Sequence, residues 1–141
     1  AYEIGVRLVG SEMCIRDSPK GLPALVKAQR IQDKVAGVGF DWEQPEQVWD
    51  KVQEELAELH AEVQKGSAKT IEAEFGDVLF SLINYARFLK INPDTALERT
   101  NQKFSKRFQY LEQQVQKIGK TLHEMSLDAM EVIWQEAKKA D

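Results

Sequence analysis

From Leu22 to Lys139 apolar residues return every three or four positions, and no stretch alternates as a half-buried strand must. That periodicity confines the chain to helices, and its breaks set their number. The first helix is expected over Leu22–Ala36, ended by Gly37 and Gly39. After the loop "GVGFDWEQP", a second helix covers Pro45–Lys65 and stops at Gly66-Ser67. A third covers Ala68–Lys90 and stops at "INPD". Asn92 can cap the fourth, with Pro93 at its first position, where a missing N–H does no harm. That helix runs to Ile118, before Gly119, and Ser126 caps a last one over Leu127–Lys139. The expected class is all-α, a four-helix-type bundle with an extra C-terminal helix.

The 141 residues suffice for one domain with a core, and 43% hydrophobic with 30% charged residues is ordinary globular composition. Against 23 acids stand 19 Lys and Arg, a net charge of −4, which argues against a nucleic-acid or membrane-surface binder. No apolar run approaches the roughly 20 residues that span a bilayer. The single cysteine, Cys14, has no internal disulfide partner. These features point to a cytoplasmic protein. Residues 1–18, "AYEIGVRLVGSEMCIRDS", show no clean helical stripe and stop at a Ser-Pro step; they are read as a non-native or disordered segment, leaving 19–141 as the domain.

Acids stand where the core should pack. On the second helix an apolar stripe runs through Val48, Val52, Leu56, Leu59 and Val63. At about 100° per residue, Glu55 and Glu62 fall about 60–80° to one side of it and Glu58 about 120° to the same side, with Glu54 nearly opposite and solvated. On the third helix the stripe is Ile71, Phe75, Val78, Leu82, Tyr85 and Leu89. There Glu74 lies about 40° from the centre and Asp77 about 100°. A carboxylate at the edge of an apolar arc needs a partner, a proton or a metal. Ala73, Gly76 and Phe80 give the third helix a second apolar face, which a dimer partner or another helix layer would cover. The fourth helix carries a seam through Leu97, Phe104, Phe108, Leu111, Val115 and Ile118, with Asn101 inside it and Lys103 and Arg107 on one shoulder.

Glu55/Glu58 and Glu74/Asp77 are two i,i+3 pairs on consecutive helices, which a short loop makes antiparallel neighbours. Facing each other they form an oxygen-only site, the donor set of Mg²⁺ and secondarily Mn²⁺. With a Lys/Arg edge for phosphates, the chemistry implied is metal-assisted cleavage of a phosphate ester or anhydride. A di-iron carboxylate bundle would need Glu-x-x-His pairs, yet Ala57 precedes His60 and Lys120 precedes His123.

"EELAE" followed by "EFGD" resembles the EExxE…ExxD signature of the all-α NTP pyrophosphohydrolases. "LPALVKAQRIQDKVAGVGFDW", "NQKFSKRF" and "MEVIWQEAK" are similar to the opening, phosphate-binding and closing segments of the catalytic domain of MazG proteins. The resemblance covers about residues 20–139 and implies hydrolysis of nucleoside triphosphates to monophosphate and pyrophosphate, a house-cleaning of the nucleotide pool. It implies Glu55, Glu58, Glu74 and Asp77 as Mg²⁺ ligands. It places Lys51 and Glu54 beside the nucleotide and Lys103, Lys106 and Arg107 on the phosphates, and has Trp134 and Lys138 reach in from the last helix. Asn101 is a further substrate-binding candidate, and Glu54 or Glu58 is the general base. One position departs: a lysine common in the family just before the second acidic pair is Thr70 here, with Lys69 adjacent. Many MazG proteins hold two such domains, so a single-domain member and a fragment both remain open. The expected assembly is a homodimer or higher homo-oligomer. Trp42 and Trp134 are stacking candidates and Asn84 and Asn101 edge-readers, with broad use of common bases. The alternatives are an inactive nucleotide-binding bundle, or a more specific relative of the dUTPase or phosphoribosyl-ATP pyrophosphohydrolase kind.

Overall fold

A computed structural model describes residues 21–141, so the reading of residues 1–18 lies outside the described residues. All regular structure described is helical. Helix α1 spans Ala24–Gly37, α2 Pro45–Lys65, α3 Ala68–Phe88, α4 Pro93–Lys117 and α5 Leu127–Lys139, with a 3₁₀ turn at Leu122–Glu124 that the periodicity did not signal. The chain divides into two compact units, the first ending at Asp94 and the second running Thr95–Asp141.

The helix ends follow from local chemistry. Gln47 Oε1 accepts from the backbone N–H groups of Glu43 and Gln44, both at 2.9 Å, which fixes the start of α2 ahead of Pro45. Ser67 caps α3: its Oγ accepts from Thr70 N at 3.3 Å while Thr70 Oγ1 accepts from Ser67 N at 2.9 Å. Asn92 Oδ1 accepts from Asp94 N at 3.0 Å, and Ser126 Oγ from Ala129 N at 3.1 Å, the two caps expected from sequence. Helix α3 stops at Phe88, short of Lys90, because Lys90 turns left-handed at φ 61°. A non-glycine residue there cannot continue a right-handed helix.

In the first unit α3 packs on α2 and on α1. The packed faces differ in phase from the apolar stripes. On α2 the seam runs Val48, Val52, Glu55, Leu59 and Glu62, all buried or half-buried, whereas Leu56 and Val63 are exposed. On α3 it runs Glu74, Val78, Ser81 and Tyr85, whereas Phe75, Leu82 and Leu89 are exposed. Both helices are therefore turned toward their acids, and Glu55, Glu62 and Glu74 lie in the seam rather than on its shoulder. Glu55 is 7% exposed and its apolar neighbour Leu56 45%. Short side chains let the seam close: Ser81 satisfies its buried hydroxyl by donating to Val78 O at 2.8 Å.

In the second unit Leu111 and Val115 on α4 and Ala137 on α5 are buried. Phe104 and Trp134 pack with ring centroids 4.9 Å apart at 50°. Along the first turns of α4 the expected seam is open, with Leu97 and Phe104 exposed. Asn101 is exposed too and donates weakly to Glu98 Oε1 at 3.4 Å, so it is not a core amide.

Candidate active site

The α2–α3 seam brings together the acids that the sequence singles out. Oxygens of Glu55, Glu74 and Asp77 lie within 4.8 Å of one another, and so do oxygens of Glu54, Glu55 and Glu58. Glu55 belongs to both groups and links them. Glu54, expected to stand solvated, is exposed but not alone: Lys51 Nζ donates to its Oε2 at 2.7 Å and pairs with Glu55 Oε1 at 2.8 Å. These two bonds, that to Glu54 first, raise the Lys51 ammonium's pKa above its usual range and keep it charged. Glu58 is pushed the other way for a carboxyl. The negative charge of Glu55 foremost, then burial, Glu74 and Glu54, hold its pKa above the ordinary value of 4.5.

One lysine leaves the cluster under-compensated. Glu55 Oε2 and Glu74 Oε2 are both buried with no hydrogen-bond partner. An unsatisfied buried carboxylate oxygen costs more than a neutral orphan, and such a group is normally protonated, paired or coordinated. Hard oxygen donors from several carboxylates fit Mg²⁺ or Mn²⁺, and poorly fit softer metals that want nitrogen or sulfur. The residues present thus fit a hard divalent cation.

A cavity of about 160 Å³ opens beside the acids, walled by Lys51, Glu55, Asp77, Ser81 and three further residues, Trp42, Phe80 and Asn84. Those last three also line a larger cavity of about 460 Å³, with Gln32, Phe40 and Arg87. Two tertiary links hold its walls. Gln32 Nε2 on α1 donates to Phe80 O on α3 at 2.9 Å. Arg87 donates from Nη1 and Nη2 to Asp41 at 3.1 and 2.6 Å, fastening the α1–α2 loop to α3. The guanidinium beside Asp41 keeps that carboxyl below its ordinary value. Sequence reasoning passed over Gln32, Asp41 and Arg87. For Gln32 a signal existed, since it occupies a stripe position with Leu25, Ala28 and Val35; for the ion pair, 46 residues apart, none did.

Thr70, the departure from the family pattern, is used in capping α3, and its Oγ1 also donates to Ser67 O at 2.9 Å. In the second unit Lys103, Lys106 and Lys138 are exposed. Arg107 is half-buried and donates from Nε to Asp141 Oδ2 at 2.6 Å, and Trp134 is half-buried against Phe104.

Comparison with known proteins places these residues in a family frame. The profile of the MazG nucleotide pyrophosphohydrolase domain matches residues 43–111, which include all the clustered acids. The chain is 41% identical over 120 residues to a Thermotoga maritima protein named nucleoside triphosphate pyrophosphohydrolase/pyrophosphatase MazG, covering 85% of this chain and 46% of that one. It is 39% identical over 127 residues to the nucleoside triphosphate pyrophosphohydrolase of Escherichia coli K12, covering 89% of this chain and 48% of that one. A 71-residue match at 49% identity, half of this chain and 14% of the other, links it to the uncharacterized protein YabN of Bacillus subtilis. The chain spans about half the length of the two pyrophosphohydrolases it matches.

Proposed function

Because the chain carries a domain of the MazG nucleotide pyrophosphohydrolase family, we propose that it hydrolyses nucleoside triphosphates between the α and β phosphates, with Mg²⁺ as its cation. The observation that carries the reading is the pair of buried, unpartnered oxygens on Glu55 and Glu74, set within reach of Asp77. Glu55, Glu58, Glu74 and Asp77 are the proposed ligands. When bound, the cation would supply charge neutralisation for phosphate oxygens and Lewis acidity toward the scissile bond.

The chain's own residues do the rest. Lys51, already charged and held at the acid edge, orients a phosphate or neutralises Glu54 and Glu55 as the nucleotide enters. Between the two candidate bases, Glu54 is tied to Lys51 at 2.7 Å. Glu58 is exposed and lies beside Glu54 and Glu55 at the edge of the cluster, so Glu58 is the proposed general base. On the second unit the resemblance assigns the phosphates to Lys103, Lys106 and Arg107 and the nucleotide to Trp134, Lys138 and Asn101. Asn101 is the weakest of these, as its side chain already leans on Glu98.

The assembly is proposed as a homodimer, in a cytoplasmic setting. Among the described residues no helix is long and apolar enough to cross a membrane. Phe75 and Leu79 are half exposed on α3, bordering a cavity of about 560 Å³ together with Ile71 and Gly76. A Cβ built at Gly76 meets nothing within 4 Å, so within the chain no neighbour requires glycine there. A mid-helix glycine costing about 1 kcal/mol against alanine has a reason if another backbone approaches it. Ala73 and Phe80, the face expected from the sequence pattern, are exposed as well. Sedimentation at micromolar concentration should give twice the chain mass; a monomer would refute the dimer.

The activity is tested by incubating mixed NTPs with Mg²⁺ and resolving the products. Monophosphate with pyrophosphate is expected. Orthophosphate alone points to a phosphatase, and no product leaves a nucleotide-binding bundle.

A further inference from the structure

The larger cavity, between α1, the α1–α2 loop and α3, has a wall with an unmet hydrogen-bonding demand. Gln32 is 3% exposed. Its Nε2 donates to Phe80 O at 2.9 Å. Because a carbonyl only accepts, this bond fixes the amide's orientation, and the other amide atom must be Oε1. Gln32 Oε1 is buried with no partner. Asn84 supplies the opposite half. Its Oδ1 accepts from Arg87 Nε and Nη2 at 3.0 and 2.9 Å, which leaves its Nδ2 hydrogens as donors. The lining residues thus include an acceptor without a partner on Gln32 and donor hydrogens on Asn84. Phe40, 79% exposed, and Trp42 add aromatic faces at its rim.

At about 460 Å³ the cavity falls within the roughly 300–1,000 Å³ of small-molecule sites. Trp42, Phe80 and Asn84 also wall the space beside Glu55 and Asp77. A nucleotide with its phosphates at the acids would therefore have its base next to Gln32.

We propose that this cavity holds the nucleobase, with Gln32 Oε1 accepting from an N–H on the base edge and Asn84 Nδ2 donating to a ring nitrogen or carbonyl beside it. The inference rests on the triphosphate reading above and adds a selectivity rule to it. Adenine and cytosine bring an exocyclic amine beside a ring acceptor; guanine and uracil bring a ring N–H beside a carbonyl. All four satisfy Gln32, so the common bases are used alike. A base with acceptors only leaves the buried oxygen unpaired, which is the circumstance in which a site rejects an isostere most strongly. The Asp41–Arg87 pair and the Arg87–Asn84 bonds are positioning contacts, holding the loop and aiming the asparagine.

The test compares kcat/KM for ATP with that for the purine riboside triphosphate, which lacks the amine, and for UTP with that for its 3-methyl derivative. The full chain should favour the donor-bearing member of each pair by about tenfold or more, about 1.4 kcal/mol. In Gln32→Met both ratios should fall to within about twofold, chiefly through slower use of ATP and UTP. Phe40→Ala, at an exposed position that folding does not need, should weaken AMP binding in equilibrium dialysis while leaving the thermal shift with Mg²⁺ unchanged. Equal use of both members by the unaltered chain, or ratios unmoved in Gln32→Met, overturns the proposal. Should no triphosphate be cleaved, the catalytic reading fails, and dialysis of AMP against purine riboside monophosphate decides the base pocket separately: tighter AMP supports it, equal binding sinks it.

Discussion

In the α2–α3 hairpin, Glu55 and Glu74 sit in the packed seam and each keeps a buried oxygen without a partner, whereas on α4 Lys103 and Lys106 stand in solvent and Arg107 already holds Asp141. Solvated cations cost the fold little and wait for a ligand at no penalty. Buried anions held within 4.8 Å of each other do cost, because burial and mutual repulsion both oppose their charge. A fold keeps such an arrangement when something binds it. The acid edge is thus the part whose energetics support the proposed cation, and the cationic edge takes its assignment from the resemblance alone.

The sharpest way to break that contrast is at Glu74. Glu74→Gln keeps the shape and removes a ligand charge, and kcat/KM for NTP hydrolysis should fall by about 100-fold or more, about 2.7 kcal/mol. The metal-free fold should be unharmed or slightly stabilised, since a buried charge leaves. Full activity in the variant would falsify the metal assignment.

Cation removal tests the same seam without chemistry. At a Mg²⁺ concentration of 100 times Kd, the unaltered protein should gain about 2.7 kcal/mol over the EDTA-treated form. Differential scanning calorimetry reads the gain as a rise in Tm, and Glu74→Gln should show little or none of it. An equal rise in both would mean that Mg²⁺ binds elsewhere.

On the cationic edge the expected loss is smaller. Arg107→Ala should lower kcat/KM by about tenfold, about 1.4 kcal/mol, because Lys103 and Lys106 are assigned to the same phosphates. A drop as large as that of Glu74→Gln would show that the arginine, and not the acid cluster, dominates the site.

How much of this could be read in advance differs between the two edges. The helices, two of the caps and the grouping of Glu55 with Glu74 and Asp77 follow from spacing, since i,i+3 pairs on antiparallel neighbours leave few other arrangements, whereas Glu58 groups with Glu54 and Glu55. The phase of the seam does not. Hydrophobic periodicity favours Leu56 and Phe75 as the buried positions, but the packed faces run through Glu55 and Glu74 and leave those apolar residues exposed. Averaging over apolar residues is blind to a helix that turns its acids inward. The second cavity was illegible for another reason. Its walls depend on Gln32 reaching Phe80 and on Asp41 reaching Arg87, contacts 48 and 46 residues apart that no local pattern encodes. Only the polar intrusion of Gln32 into an apolar stripe hinted at it.

The smallest effect belongs to the Asp41–Arg87 pair, which tethers the α1–α2 loop. The contact is bidentate and only partly buried, so Asp41→Asn should cost no more than about 1 kcal/mol of stability. Its pH dependence has a definite sign. Arg87 lowers the folded-state pKa of Asp41 below 3.8, so the folded protein binds fewer protons than the unfolded chain in that range. The stabilisation is fully present above the ordinary carboxylate value, and it is lost as pH falls through the lowered folded value. Denaturation midpoints of the unaltered protein and Asp41→Asn should therefore differ by a constant amount between pH 6 and 8 and converge below about pH 3.8. A difference that persists in acid would mean that the asparagine perturbs the loop by packing, and that the ion pair is not what holds it.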